Sequence, residues 1–393
     1  MDPYIDPEKL DAANPFYDRK INNLRRGNEE HAARAEVTTS LPVKITLQTT
    51  DACNLDCPHC QIPKATKKPR MDVRVFERVV EDLFPTLVEL HPTNLGEPFA
   101  WPLFERLCAE MTRYGILLDL TTNGTLLSKE RISWLVPIAR DVKVSFDGAT
   151  AAVFERLRRG ASFDAVCANV RGLAAALASA PARPSIALQM TLMRSNFQEL
   201  PALVRLAAEL GAQRVNAYHL FSFSSEMDAE SIVNEPAAWP PVLSEALAIG
   251  KQLGIELRCA EPSSAGQQAA LAEIACHLPW HEAWVDFDGA VLPCHSHGGD
   301  VAGNLLETPF VDIWNGDLYR QIRRAFAQRR PGWHCTNCGM NWQKSEEHQI
   351  VPYDPESFLS RLGRGKSRSD AETPIRWSGR MKPFDLVGRR NGQ

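Results

Sequence analysis

No run of the 393 residues is long and apolar enough to span a bilayer. The best candidate, VRGLAAALASAPARP at 170–184, is too short and carries Arg171. The N-terminus, MDPYIDPEKLDAANPFYDRK, is polar and acidic and lacks the apolar centre of a signal peptide. A strong net charge is missing as well. The 44 Lys and Arg stand against 48 Asp and Glu, a balance of −4, so no overall field draws the chain to nucleic acid. These absences set the expectation of a soluble cytoplasmic protein with neither membrane nor nucleic acid as partner. With 44% hydrophobic and 23% charged residues, the chain has material for a large core. Its length suits one large domain plus a smaller one, or two to three average domains.

Cysteine, by contrast, is plentiful, with ten in the chain. A reducing compartment argues against a disulfide framework, and clustered cysteines there bind metal or do redox chemistry. The stretch TTDACNLDCPHCQIP (49–63) holds Cys53, Cys57 and Cys60. Four more lie late, at Cys276, Cys294, Cys335 and Cys338. Cys108 and Cys167 sit alone in helical patterns and read as small core residues. Cys259 belongs to neither group.

After a polar lead-in over 1–42, strand-like and helix-like segments alternate about six times. VKITLQTT (43–50) reads as strand, DVRVFERVVEDLFPTL (72–87) as helix with Asp72 as N-cap, and VELHPTNLGEP (88–98) as strand then loop. ILLDLTTNG (116–124), DVKVSFDG (141–148), SIALQMTLM (185–193) and RVNAYHLFSF (214–223) supply further strands, with helices between them. Such alternation makes an α/β fold with a parallel sheet and crossover helices. Function in these folds gathers in the loops after strand C-termini. The cysteine loop, LGEP, TTNG and SFDG follow four successive strands in that way. From about residue 255 the pattern changes. IELRCAEPSSAGQQ breaks the alternation, a hairpin turns at Asp288-Gly289, and TPFVDIWNGDLYRQIRRAFAQRR (308–330) is mostly helix. The expected divisions are 1–42, 43–255, 256–345 and a basic tail over 346–393.

Three thiolates on one short loop suit an iron–sulfur cube better than zinc, whose structural sites take four tetrahedral ligands. His59 adjoins Cys60, so joint ligation of one zinc ion by the two is awkward. A cube held by three cysteines leaves one iron open, and an open metal position is where chemistry happens. CNLDCPHC resembles the Cx3Cx2C signature of the radical S-adenosylmethionine (SAM) superfamily. That resemblance implies a partial (β/α)6 TIM-like barrel and a 4Fe–4S cluster whose open iron binds SAM. It also implies cleavage of SAM to a 5′-deoxyadenosyl radical that takes a hydrogen atom from substrate. LGEP is similar to the family's GGEP loop, with Gly96 and Glu97 expected at the SAM amino group and Leu95 in place of the first glycine. TTNG (Thr122, Asn123) and VSFDG resemble the third and fourth strand ends, with Ser145 expected near the ribose. ERLRRGASF resembles the segment whose arginine binds the SAM carboxylate, giving Arg158, with Arg159 in reserve. Gln189 on the fifth strand joins the expected SAM set, and His59 takes the place of an aromatic residue beside the adenine.

The late segment resembles the SPASM/Twitch group of this superfamily, and its four cysteines match the shorter Twitch form. The resemblance implies that Cys276, Cys294, Cys335 and Cys338 ligate an auxiliary 4Fe–4S cluster in a C-terminal domain of hairpin plus helix. A structural zinc site is the rival reading of the same four. A cluster with four protein ligands moves electrons, and oxidation of a substrate radical also needs a proton acceptor. His295, next to Cys294, is the first candidate and His297 the second. Cys259 offers another outcome: hydrogen donation to the substrate radical, as in radical SAM epimerases.

The sequence thus leads to a radical SAM oxidoreductase acting on a polar small molecule of the sugar, cyclitol or aminoglycoside type. A flavodoxin or ferredoxin-type protein is expected as electron donor. One alternative is a peptide (RiPP) maturase working with a separate recognition protein, because residues 1–42 are short for a recognition domain of the family's usual kind. The other is a non-catalytic zinc-binding protein.

Overall fold

The computed structural model describes residues 10–60, 68–180, 184–220, 225–235, 237–259, 276–294, 300–330, 332 and 335. His295, His297, Cys338 and the stretch from 346 onward lie outside the described residues. Ten strands form one sheet: β1 (Lys44–Leu47), β2 (Glu89–His91), β3 (Leu117–Thr122), β4 (Ala139–Ser145), β5 (Ser185–Leu192), β6 (Arg214–His219), β7 (Glu256–Cys259), β8 (Glu282–Val285), β9 (Ala290–Leu292) and β10 (Gly303–Asn304). Their order is β10-β9-β8-β1-β2-β3-β4-β5-β6-β7. β1 to β7 are parallel neighbours in chain order, with helices in the crossovers, and the sheet does not close. This is the expected α/β partial barrel.

Each strand alternates its side chains between two faces. One face is apolar and packs on the helices: Ile45, Leu90, Leu118, Val142, Leu188 and Val215 join Val75, Phe76, Leu107, Met111, Val170 and Leu203 in one core. Asp72 caps the first crossover helix (Val73–Asp82) by accepting the Arg74 N–H at 2.9 Å. Cys108 and Cys167 are buried in this core as expected, and none of the nine described cysteines is in a disulfide.

The other face is polar. At the N-terminal ends of the strands four cations, Lys44, Arg140, Lys143 and Arg214, meet four anions, Glu89, Asp119, Asp141 and Glu282. Lys44 Nζ lies 2.8 Å from Glu89, and Arg214 grips Asp141 through two contacts of 2.7 and 2.8 Å. Lys143 pairs with Asp119 and Arg140 with Glu89. Burial alone would raise Asp119, but Lys143, His91 and Lys44 hold it well below the usual carboxylate range. The network is neutral in sum and floors the barrel, so the chemistry belongs at the opposite, C-terminal end of the strands.

Two features depart from the sequence pattern. Residues 256–259 form a seventh parallel strand where the alternation read as broken. Glu256 and Arg258 face solvent and pair at 2.6 Å, which gives the segment a polar look. The Asp288-Gly289 hairpin forms as expected, with Gly289 at φ +88°. It does not stand apart, however, because β8 pairs in parallel with β1 and extends the same sheet. The N-terminal segment, helical over Tyr17–Ala32, clasps the C-terminal one. Trp280 Nε1 donates to the Ala35 carbonyl at 2.9 Å, Trp314 Nε1 to that of Ser40 at 2.9 Å, and Glu36 binds Arg320 and Arg324.

Candidate active site

The segments after β1 to β4, together with Gln189 of β5, converge on a cavity of about 370 Å³. Cys53, Cys57 and Cys60 line it together with His59. Gly96, Thr122, Asn123, Ser145, Arg158 and Gln189, the residues expected to hold SAM, line it too. The volume is within the range of small-molecule sites.

Gly96 has φ +82°, and a Cβ there would come within 2.4 Å of the Thr50 carbonyl oxygen, so no other residue fits this turn. Gln48, at the end of β1, shapes the same loop. Its Oε1 accepts the N–H groups of Asn94 and Leu95 at 2.8 and 3.2 Å, and its Nε2 donates to Asp51 at 2.6 Å. Glu97 stands behind the wall rather than in it and is buried. Its carboxylate accepts the Thr122 hydroxyl and the Asn123 N–H, each at 2.7 Å. Burial pushes it up to about 7, against those hydrogen bonds. Asn123 Nδ2 in turn donates to Asn54 at 2.9 Å and toward Cys53 Sγ at 3.7 Å.

On the other side, Ser145 ends β4 in register with Gln189 of β5. Asp147 follows and is fully buried. It lies 2.6 Å from Arg158 Nε and 3.1 Å from His59 Nε2, and Arg158 Nη1 is 3.9 Å from Cys57 Sγ. Neither Gln48 nor Asp147 stood out in the sequence. His91 also lines the cavity, with Nδ1 2.7 Å from the Asp119 carbonyl. A carbonyl only accepts, so Nδ1 carries a hydrogen.

Burial pushes the Cys57 thiol up to about 11 and raises Cys53 as well. Metal binding replaces such protons. Among the described residues no three His, Cys, Asp or Glu side chains come close enough to hold a single metal ion. Three thiols on the rim of a ligand-sized cavity, with an arginine beside one of them, fit a cluster with SAM against it.

Three of the late cysteines, Cys276, Cys294 and Cys335, lie around the helix Asp317–Ala327. Cys276 and Cys335 share an apolar cluster with Trp280, Ile322 and Phe326. Burial raises the Tyr319 hydroxyl above its usual range; Arg323 opposes this and Cys294 adds to it. Arg323 is itself buried between Trp314 and Tyr319, its guanidinium 4.6 and 5.4 Å from their ring centres. Cys259 ends β7, half-buried, opposite Ala217.

A scan against family descriptions matches residues 47–207 to the radical SAM superfamily and 276–339 to the SPASM iron–sulfur cluster-binding domain. The fold and the cysteine-rimmed cavity define an iron–sulfur enzyme that binds SAM. The chain belongs to the radical SAM superfamily, in its SPASM/Twitch group. Its cofactors are 4Fe–4S clusters and SAM. The AdoMet-dependent heme synthase of Methanosarcina barkeri is 28% identical over 72% of this chain and 86% of its own. The PqqA peptide cyclase of Gluconobacter oxydans is 26% identical over 77% and 85%. The mycofactocin maturase MftC of Mycobacterium tuberculosis is 26% identical over 76% of each. Among solved structures, Streptococcus suis SuiB bound to SAM superposes with a TM-score of 0.58 at 14% identity, over 84% of this chain and 79% of that one. That likeness is one of fold. No helix among the described residues is long and apolar enough to cross a membrane.

Proposed function

We propose that this radical SAM enzyme modifies a peptide. The observation that carries the reading is the similarity to a peptide cyclase along most of both chains. The sugar, cyclitol or aminoglycoside-type substrate expected from the sequence takes second place. The comparable similarity to a heme synthase keeps a non-peptide substrate as the second reading.

In this reading Cys53, Cys57 and Cys60 hold the SAM-binding cluster. Cys276, Cys294, Cys335 and Cys338 hold the auxiliary one, over a segment taken as 256–345 beside a barrel of 43–255. When bound and reduced, the cluster would give one electron to SAM, which would part into methionine and a 5′-deoxyadenosyl radical. The turn at Gly96 brings backbone groups to the cavity for the SAM amino group, and Glu97 fixes that turn to the end of β3. Ser145 and Gln189 offer polar groups from adjacent strands, and Arg158 offers a cation for the SAM carboxylate. His295 takes the proton released on oxidation, or Cys259 gives a hydrogen atom where the outcome is epimerisation. A flavodoxin or ferredoxin-type protein supplies the electrons.

The test is anaerobic reconstitution with SAM, a reductant and short peptides encoded beside the gene. A mass change in a peptide, with its deuterium recovered in 5′-deoxyadenosine, supports the reading. SAM cleavage that responds to a porphyrin or an aminosugar and to none of the peptides overturns it.

A further inference from the structure

Asp147, two residues past the end of β4, makes contacts in three directions. One of its oxygens, Oδ1, accepts the Thr191 N–H of β5 at 2.8 Å. Its backbone carbonyl accepts from Asn196 Nδ2 at 3.0 Å. The other oxygen, Oδ2, faces both Arg158 Nε and His59 Nε2. One carboxylate, itself held rigidly between β4 and β5, therefore meets the cysteine loop and the residue after the helix Ala151–Leu157. Burial opposes its charge, but Arg158 and His59 more than offset this and hold it down to about 2. It is ionised throughout the neutral range.

The consequence falls on Arg158. An unpaired arginine explores many rotamers; one whose Nε lies 2.6 Å from a buried carboxylate, as an ion pair outside hydrogen-bond geometry, keeps the rest of its fork to one side. Here that fork lies at the cavity wall beside Cys57. We propose that Asp147 is a positioning residue whose ion pair holds Arg158 to receive the SAM carboxylate next to the cluster loop. This rests on the assignment of Arg158 to that carboxylate and is independent of whether the substrate is a peptide. The rival role for Asp147 is support of the cysteine loop through His59.

A double-mutant cycle on the reconstituted full chain separates the two. SAM affinity is read by anaerobic equilibrium dialysis with labelled SAM and no peptide, beside iron content and the electron paramagnetic resonance of the reduced cluster. Asp147→Asn is expected to keep its iron and to weaken SAM binding about tenfold or more, through loss of the buried charge that holds Arg158. Arg158→Gln is expected to do likewise. Adding Asp147→Asn to Arg158→Gln is then expected to change affinity less than about twofold, because the two act as one unit. Additive losses overturn the proposal, as does unchanged affinity in either single variant. Loss of iron in Asp147→Asn but not in Arg158→Gln also overturns it, in favour of the His59 role.

Discussion

Thr122 donates its hydroxyl hydrogen to Glu97 at 2.7 Å, a bond that joins the loop after β2 to the end of β3 beneath the cavity. The neighbouring Asn123 N–H reaches the other carboxylate oxygen at 2.7 Å. The Asn123 N–H can only donate, so a glutamine turns its NH2 to the Thr122 hydroxyl, which already accepts the Gly124 N–H and must give up its own donation. Glu97→Gln is expected to cost about 1–3 kcal/mol, the range for a buried group left without its hydrogen bond. The check is urea unfolding of the cluster-free protein. Thr122→Val, which removes one donor and keeps shape, is expected to cost less.

Gly96→Ala tests the same loop from the backbone. The added Cβ meets Thr50 O at 2.4 Å and Ala52 O at 2.9 Å, and the residue must keep φ +82°. These carbonyls belong to the strand exit that leads into Cys53. The expected outcome is loss of SAM binding together with lowered iron content, measured by dialysis and iron assay on one preparation. Full SAM affinity in Gly96→Ala would mean that the loop is free to rebuild.

Much of this site was legible in the sequence because four short motifs each sit after a strand, and a parallel sheet brings strand ends to one edge whatever lies between them. The three cysteines, Gly96, Asn123, Ser145, Arg158 and Gln189 line one cavity for that reason. The pairings were not legible. Asp147 meets His59 from a loop far away in the chain and Arg158 across one short helix, and a lone Asp in SFDG carries no mark of either. Gln48 looks like any strand-end amide. The parallel pairing of β8 with β1 was hidden too, since a hairpin pattern says nothing about which edge it joins. The polar face of the sheet did leave a trace. Lys44, Thr46 and Gln48, or Ser185, Gln189 and Thr191, fall at even spacings within apolar strands.

Lys20 gives a pH-dependent stability with a definite sign. Its ammonium is buried against the carbonyls of Phe84 and Leu87, and burial lowers it from 10.5 to about 7. The unfolded chain therefore binds this proton more tightly than the folded one. Lys20's contribution is most unfavourable below pH 7 and fades as pH rises toward 10.5. Between those values the slope approaches about 1.4 kcal/mol of added stability per pH unit. Lys20→Met is expected to flatten that part of the profile, measured as the urea midpoint from pH 7 to pH 10. An unchanged slope would place the proton elsewhere.

The two cysteine groups predict separable losses. Alanine at both Cys53 and Cys57 is expected to abolish SAM cleavage and leave about four of eight irons per chain. Alanine at both Cys276 and Cys335 is expected to remove a similar share of iron while 5′-deoxyadenosine still forms. Iron assay and chromatography of the nucleoside on the same samples decide. Intact SAM cleavage in the first variant would sink the assignment of the cluster.

The charged floor of the barrel predicts an asymmetry between breaking and replacing a pair. Arg214 is buried, with two contacts to Asp141 and a third at 3.0 Å to Asn216. Removing Asp141 alone leaves that cation facing Lys143 without its carboxylate. Asp141→Ala is therefore expected to cost about 3–5 kcal/mol. Replacing both partners, as Asp141→Leu with Arg214→Met, removes the stranded charge and is expected to cost clearly less. Urea unfolding of the cluster-free protein compares the two. If the double variant loses as much as or more than Asp141→Ala, the floor holds the strands together through the ion pair itself rather than merely tolerating buried charge.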